Sequence, residues 1–344
     1  VKAADFNGDG QTDLFIGGRL TPRNWPHPTR SYLLQNDGGQ FTDVTRNMAP
    51  KLMEPGGMIT DAVWMDFNED SRPDLVTAGE WMDIRFYQNS GDAFEDVTAA
   101  MDLPPLRGWW NSLAAGDFNG DGRMDLAAGN LGLNHTYTTS PEAPFGVVAA
   151  DLTDDWTTDI ILTKQINGVD YPLYGLAKLG REIYTLGIRY DSFESFANAT
   201  AEQVVGRQAY QQALRYRADT FASVVLLSDP QGGFTVRPLP NLSQISPIQD
   251  MIVSDVDGDG AADLITGGNL YETEPTVPRA DAGNGLWLKG DGGGTFTPVG
   301  PTQSGLLIPG DVRRLAQVQT PNGTILMVAN NSDSLQVFRI QRNN

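Results

Sequence analysis

A β-propeller, an all-β fold of four-stranded blades repeated around an axis, is the fold class the sequence predicts, and three observations predict it. A short acidic pattern recurs five times. Each copy lies between short apolar runs rich in β-branched residues, as strands joined by a tight loop do. A second module, a strand, an Asn/Asp/Gly turn and a strand opening on Phe, follows several copies. Two hairpins per unit give four strands, and radial repetition of such units gives blades.

The pattern is Asp, any residue, an oxygen-bearing residue, any residue, Asp, three more, Asp, then Leu or Ile. Loop one carries Asp5, Asn7, Asp9, Gln11 and Asp13 and runs into Leu14-Phe15-Ile16. Loop two carries Asp66, Asn68, Asp70, Arg72 and Asp74, entered from Ala62-Val63-Trp64-Met65. Loop three has Asp117, Asn119, Asp121, Arg123 and Asp125; loop four has Asp151, Thr153, Asp155, Thr157 and Asp159. Loop five, between Met251-Ile252-Val253 and Leu264-Ile265-Thr266, has Asp255, Asp257, Asp259, Ala261 and Asp263. The hairpin module reads over 32–45, 86–98, 224–234 and 286–296, and 310–338 reads as one more blade that has lost its loop.

Between loops four and five the period breaks. Leu176, Leu179, Ile183 and Leu186 recur at helical spacing, and Thr200-Ala201-Glu202-Gln203 forms a capping box for a helix expected through about Arg217. This predicts a helical insertion at about 172–218, docked on the propeller's own surface, within a single domain spanning 1–344. About six blades are expected here, and seven or eight in an intact protein of which this chain is a C-terminal piece.

Oxygen side chains at positions one, three and five, a backbone carbonyl at seven (Gln11, Arg72, Arg123, Thr157, Ala261) and a carboxylate at nine suit a hard cation taking six to eight oxygens. Calcium is the expected cofactor, up to five ions. With no Cys and only His27 and His135, zinc and copper sites are disfavoured. Loops one, three and five keep Gly10, Gly122 and Gly260 at the sixth position, and loop two has Ser71. Loop four, with Thr153 and Trp156, is expected to bind most weakly. A ligand shell closed by protein oxygens leaves no open position for substrate, so the expected role of the ions is structural.

The 344 residues carry 24 Lys and Arg against 43 Asp and Glu, a formal charge of −19. Such a surface repels polyanions and excludes a general nucleic-acid binder. Hydrophobic residues at 40% exclude a disordered acidic chain. Five Ca²⁺ would bring −19 to −9, so much of the acid excess is a statement about metal. It argues for calcium-rich surroundings outside the cytosol. No run is long and apolar enough for a transmembrane helix.

Catalytic candidates are sparse: His27 between prolines, His135 at a strand end, and no nucleophile elbow or phosphate loop. Trp109 and Trp110, beside Arg107, could stack on a sugar or pack between blades; Arg207, Arg215 and Arg217 could meet an anionic partner or form a solvated face.

At these loops the chain resembles FG-GAP, or VCBS, repeat proteins, the calcium-loop propellers also found in integrin α-subunits. More closely it is similar to the C-terminal propeller of bacterial secreted proteins of the ASPIC/UnbV, cartilage acidic protein-like group. The runs that carry this include Phe41-Thr-Asp-Val-Thr45, Gly108-Trp-Trp-Asn-Ser112, Gly129-Asn-Leu-Gly-Leu-Asn134, Ala218-Asp-Thr-Phe-Ala-Ser223 and Pro309-Gly-Asp-Val-Arg313. The resemblance implies a non-enzymatic secreted or cell-surface propeller that binds protein or glycan, as in an outer-membrane complex of a bacterium. The rival expectation is a polysaccharide lyase or hydrolase built on a propeller face.

Overall fold

The computed structural model describes residues 1–54, 57–273 and 277–341. The chain is all-β in its main architecture, its described residues laid out as six antiparallel sheets. Sheet I is β1 (Lys2–Ala4), β2 (Asp13–Ile16), β3 (Tyr32–Asp37) and β4 (Gln40–Asp43), in chain order. Sheet II repeats that order with β5 (Met58–Met65), β6 (Asp74–Met82), β7 (Arg85–Asn89) and β8 (Phe94–Asp96). Its short extra strand β9 (Gly108–Trp109) pairs with β6. In each, the acidic loop joins the first two strands and the Asn/Asp/Gly turn joins the last two.

Sheet III opens with β10 (Ser112–Gly116) and β11 (Asp125–Gly129) and is then interrupted. The interruption contains a complete sheet of its own: β12 (Phe145–Ala150), β13 (Asp159–Ile166), β14 (Val169–Pro172) and β15 (Leu214–Ala218), in the order β14-β13-β12-β15. Only afterwards do β16 (Val224–Ser228) and β17 (Phe234–Pro238) complete sheet III, β16 pairing with β11 through Leu126↔Leu226. Sheet V is β18 (Asp250–Ser254), β19 (Asp263–Gly267), β20 (Leu286–Gly290) and β21 (Phe296–Val299). Sheet VI has three strands, β22 (Val312–Thr320), β23 (Gly323–Asn330) and β24 (Gln336–Ile340). The strand sequences explain the burial: β6, β11, β16 and β19 carry apolar residues on both faces and are buried almost throughout, as central strands between packed sheets must be.

Leaving the inserted sheet aside, the first strands of the sheets follow one another: β1 packs on β5, β5 on β10, β10 on β18 and β18 on β22. Carboxylates fasten this line. Asp61 of β5 accepts from the backbone N–H of Leu113 (2.9 Å), and Asp250 of β18 accepts from that of Leu315 (2.7 Å). Lys2 lies 2.9 Å from Asp61, and Arg314 reaches both Asp250 (3.4 Å) and Asp61 (3.8 Å). The last sheet thereby touches the second.

The inserted sheet is where the sequence pattern misleads. The fourth acidic loop has the spacing of its siblings, but it joins β12 to β13 inside the interruption rather than opening a sheet in the main series. The helices fall within 172–218, as five short pieces: Leu176–Glu182, Tyr184–Arg189, Phe193–Ala197, Ala201–Val205 and Arg207–Gln212. The Leu176-to-Leu186 stripe breaks at Ile183, and the helix after the Thr200 capping box stops at Gly206, whose φ of 92° is left-handed. What was expected to stay helical to Arg217 is strand from Leu214 to Ala218, because this stretch supplies the edge partner of β12. Leu179, Ile183 and Leu186 are buried against Val148 and Ile161, so the stripe docks on the chain's own sheet.

Candidate metal centres

The five loops share one hydrogen-bond scheme, from which loop four departs at position three, where the Asp155 N–H goes to Asp151. The position-one carboxylate accepts from the backbone N–H groups of the turn: in loop one Asp5 takes Gly8 (2.8 Å) and Gly10 (2.8 Å), and in loop three Asp117 takes Gly120 (2.7 Å) and Gly122 (2.9 Å). Asp66 and Asp151 take the N–H of Ser71 (2.7 Å) and Trp156 (2.9 Å), and Asp255 takes Gly258 (2.7 Å) and Gly260 (3.3 Å). Position three, Asn7, Asn68, Asn119 or Asp257, accepts from the N–H of position five. Position five, Asp9, Asp70, Asp121, Asp155 or Asp259, accepts from position seven: Gln11, Arg72, Arg123, Thr157 or Ala261. The chain thus winds around a point ringed by oxygens.

This winding needs left-handed backbone at positions four and six. Glycines supply it in loops one, three and five, with Gly10, Gly122 and Gly260 at φ 83°, 86° and 91°. Loop two uses Glu69 and Ser71 (61° and 65°), and loop four Asp154 and Trp156 (55° and 65°), conformations that cost a side-chain-bearing residue about 1 kcal/mol. Trp156 is 97% exposed and recovers nothing by packing.

Position nine does a second job. One oxygen of Asp13, Asp74, Asp125, Asp159 and Asp263 accepts from the N–H of position two, at 3.1, 3.2, 2.8, 2.7 and 2.9 Å. In four loops the other oxygen takes a backbone N–H from the third strand: Asn36, Asn89, Ser228 and Gly290, at 2.8, 2.7, 2.8 and 2.8 Å. Each such carboxylate latches the loop to the hairpin and is buried completely. Asp159 has no such second donor among the described residues; Thr153, at position three, turns its hydroxyl toward it (3.4 Å). Burial raises the pKa of Asp13, Asp125, Asp159 and Asp263, and pushes Asp74 up to about 6 against the lowering pull of its two backbone donors.

The loops also sit on the seams between sheets. The position-two aromatics Phe6 and Phe118 meet Phe94 and Phe296 of the neighbouring hairpins edge-on, at 5.7 and 5.4 Å. Phe67 meets Phe86 (5.5 Å), which lies 5.0 Å from Phe234 of sheet III. The carbonyl of Phe6 accepts from the Asn89 amide (2.7 Å), and that of Phe118 from the N–H of Gly294 (2.9 Å). A loop that loosens therefore loosens a seam.

The donor set fits a hard divalent cation: oxygens alone, from four side chains in each loop, three or four of them carboxylates. In loop five Asp255, Asp257 and Asp263 each bring a carboxylate oxygen to within 4.8 Å of the others, a concentration of charge that a cation would relieve. The position-five carboxylates also have cationic partners that spacing did not flag. Arg72 and Arg123 approach Asp70 and Asp121 at 2.5 Å, and Lys289, from β20, pairs with Asp257 and Asp259. Its ammonium is the main reason the Asp259 pKa is lowered.

The catalytic candidates do not converge. The His27 ring is 3.3 Å from the Thr158 hydroxyl, while His135 accepts from the Tyr137 N–H (3.2 Å), and burial lowers its pKa. Trp110 is fully buried, its indole N–H given to the Leu106 carbonyl, so of the two readings packing holds for it. Trp109 sits among Trp81, Tyr137, Phe145 and Phe221. Arg107 is taken by Asp219 through two hydrogen bonds (2.7 and 3.1 Å) and Arg217 by Asp170 (3.0 Å).

Fold and site together define a repeat-built β protein whose sheets are entered through oxygen-rich loops. Residues 5–77 and 66–128 match the profile of the FG-GAP-like repeat, so the chain carries FG-GAP-like repeats across its first three loops. No curated protein matches the chain. Among solved structures it is similar to the V. cholerae biofilm matrix protein Bap1, at 10% identity over 98% of this chain and 76% of that one, with a TM-score of 0.30. A likeness that loose carries no argument. No helix among the described residues is long and apolar enough to cross a membrane.

Proposed function

We propose that this chain is a calcium-stabilised, non-enzymatic β-propeller of the cell surface or secreted space, which presents a rigid scaffold for binding protein or glycan. One observation carries the reading: five loops wind alike around an oxygen-lined point, and four of them are latched through position nine to the hairpin of their own sheet. Calcium at such a point would be held by positions one, three, five and nine and the position-seven carbonyl. It would neutralise the carboxylates and fix the turn that carries Phe6, Phe67 or Phe118 into the seam. The consecutive packing of β1, β5, β10, β18 and β22, with Arg314 of the last sheet reaching Asp61 of the second, supports a radial arrangement of sheets. The inserted sheet with its helices would then stand outside the ring as an accessory surface. The runs resembling ASPIC/UnbV proteins support placing it with that group.

Ions that bind only the folded state stabilise it by mass action, about 2.7 kcal/mol at a hundredfold excess over Kd per site. The melting temperature in excess chelator should therefore fall well below that in millimolar calcium, and an unchanged curve would overturn the calcium reading. For the surface role, a glycan array and a pull-down from intact cells should yield a binder without turnover. Depolymerisation of any polysaccharide by the purified chain would replace this reading with the lyase or hydrolase one.

A further inference from the structure

Loop five is the richest in carboxylates and by composition the strongest cation site, yet its structure holds a cation of its own. Lys289 reaches from β20 to pair with Asp257 and lies 2.8 Å from the Asp259 Oδ2. Its place is defined by the latch: the next residue, Gly290, gives its backbone N–H to Asp263 at position nine. In sheets I, II and III the residues taking that backbone bond are Asn36, Asn89 and Ser228. The residues just before them are Gln35, Gln88 and Leu227, none of them charged. Lysine stands at this register in one sheet of the four, and it is the sheet whose loop has Asp257 at position three where the other three have Asn7, Asn68 and Asn119.

We infer that Lys289 is a tethered counter-cation to the fourth carboxylate of loop five, which holds the loop closed without metal and lowers its affinity for calcium. The inference rests on the calcium reading above and adds to it a residue that lowers the affinity of one loop. Asp257 gives loop five one ligand carboxylate more than loops one, two and three have; the ammonium cancels that charge. A divalent ion entering the ring meets a positive charge a few ångströms away, so loop five gains no lead over loop one from its greater ligand charge. A unit charge about 5 Å from a divalent ion, in a site open to water, changes its affinity by roughly tenfold.

The test is a calcium titration of the whole chain followed by NMR at the amides of Gly258 and Gly260, with Gly8 and Gly10 of loop one as internal reference. Lys289→Met should lower the calcium midpoint of loop five roughly tenfold and leave that of loop one unchanged. In chelator the same variant should melt below wild type, and Asp257→Asn with Lys289→Met should recover that loss, because the double variant has the uncharged pairing of the other sheets. A loop-five midpoint that stays put or rises in Lys289→Met refutes the counter-cation. Absence of shifts in loop one as well as loop five refutes the calcium reading itself, and this inference with it.

Discussion

Titrating the metal-free protein through the pKa of Asp74 probes the cost that the latch imposes. Asp74 is fully buried, holds the N–H groups of Phe67 and Asn89, and its pKa is pushed up to about 6 from 3.8. A carboxyl raised in the folded state favours the proton there, so its contribution to stability is complete below about pH 4 and is lost as pH rises through about 6. The difference of roughly two units corresponds to about 3 kcal/mol at neutral pH. With an unfolding entropy of about 2.1 cal/mol/K per residue, that is a shift of about 4 °C for a chain of 344 residues. Asp13, Asp125, Asp159 and Asp263 move in the same direction. The carboxyls with lowered pKa, among them Asp121 and Asp259, titrate below this window. Calorimetry in chelator should accordingly show the melting temperature rising as pH is lowered from 7 to about 4.5, the raised carboxyls outweighing the opposite pull of His135, whose pKa burial lowers. With saturating calcium, which keeps Asp74 ionised, it should fall. Asp74→Asn cannot titrate and should flatten the chelator profile by its share. A metal-free profile that declines on acidification, or an Asp74→Asn profile as steep as wild type, would refute the reasoning.

Three further outcomes follow from the same geometry. Ser71→Gly should stabilise by about 1 kcal/mol in urea denaturation, since Ser71 holds φ at 65°, whereas Gly122→Ser in loop three should lose a similar amount. Asn130 is completely buried, accepts from Trp109 and Leu131 and donates to the carbonyls of Thr220 and Ala222, so it ties the start of the insertion to its end. Asn130→Ala leaves those groups unpaired and should cost about 2–4 kcal/mol by equilibrium denaturation. Leu179→Ala, at a position 1% exposed between the helices and the inserted sheet, should cost about 2–5 kcal/mol. Hydrogen exchange should confine that loss to 145–218.

What the sequence made legible was local and repeated. The five loops, the flanking strands and the Phe-led hairpins follow from spacing, because each loop's hydrogen bonds run between residues a few positions apart. The insertion was half legible. Helical spacing found Leu179, Ile183 and Leu186, but nothing in the fourth motif says that its sheet interrupts another one. That depends on β16 meeting β11 across the whole excursion, through Ala127↔Val225 and its neighbours. The latch at position nine was hidden for the same reason: Asp125 and Ser228 are far apart in the chain. Lys289 carried no signal until the register of β20 set it against Asp257.

The central claim is that the acidic loops are calcium sites, and counting the ions tests it most directly. Native mass spectrometry of the decalcified chain, titrated with calcium, should show discrete additions up to at least four ions. Asp→Asn at position one (Asp5, Asp66, Asp117, Asp255) should remove one ion each, and Asp151→Asn should change the count least. A chain that takes up no calcium, or whose uptake is indifferent to all five substitutions, contradicts the account.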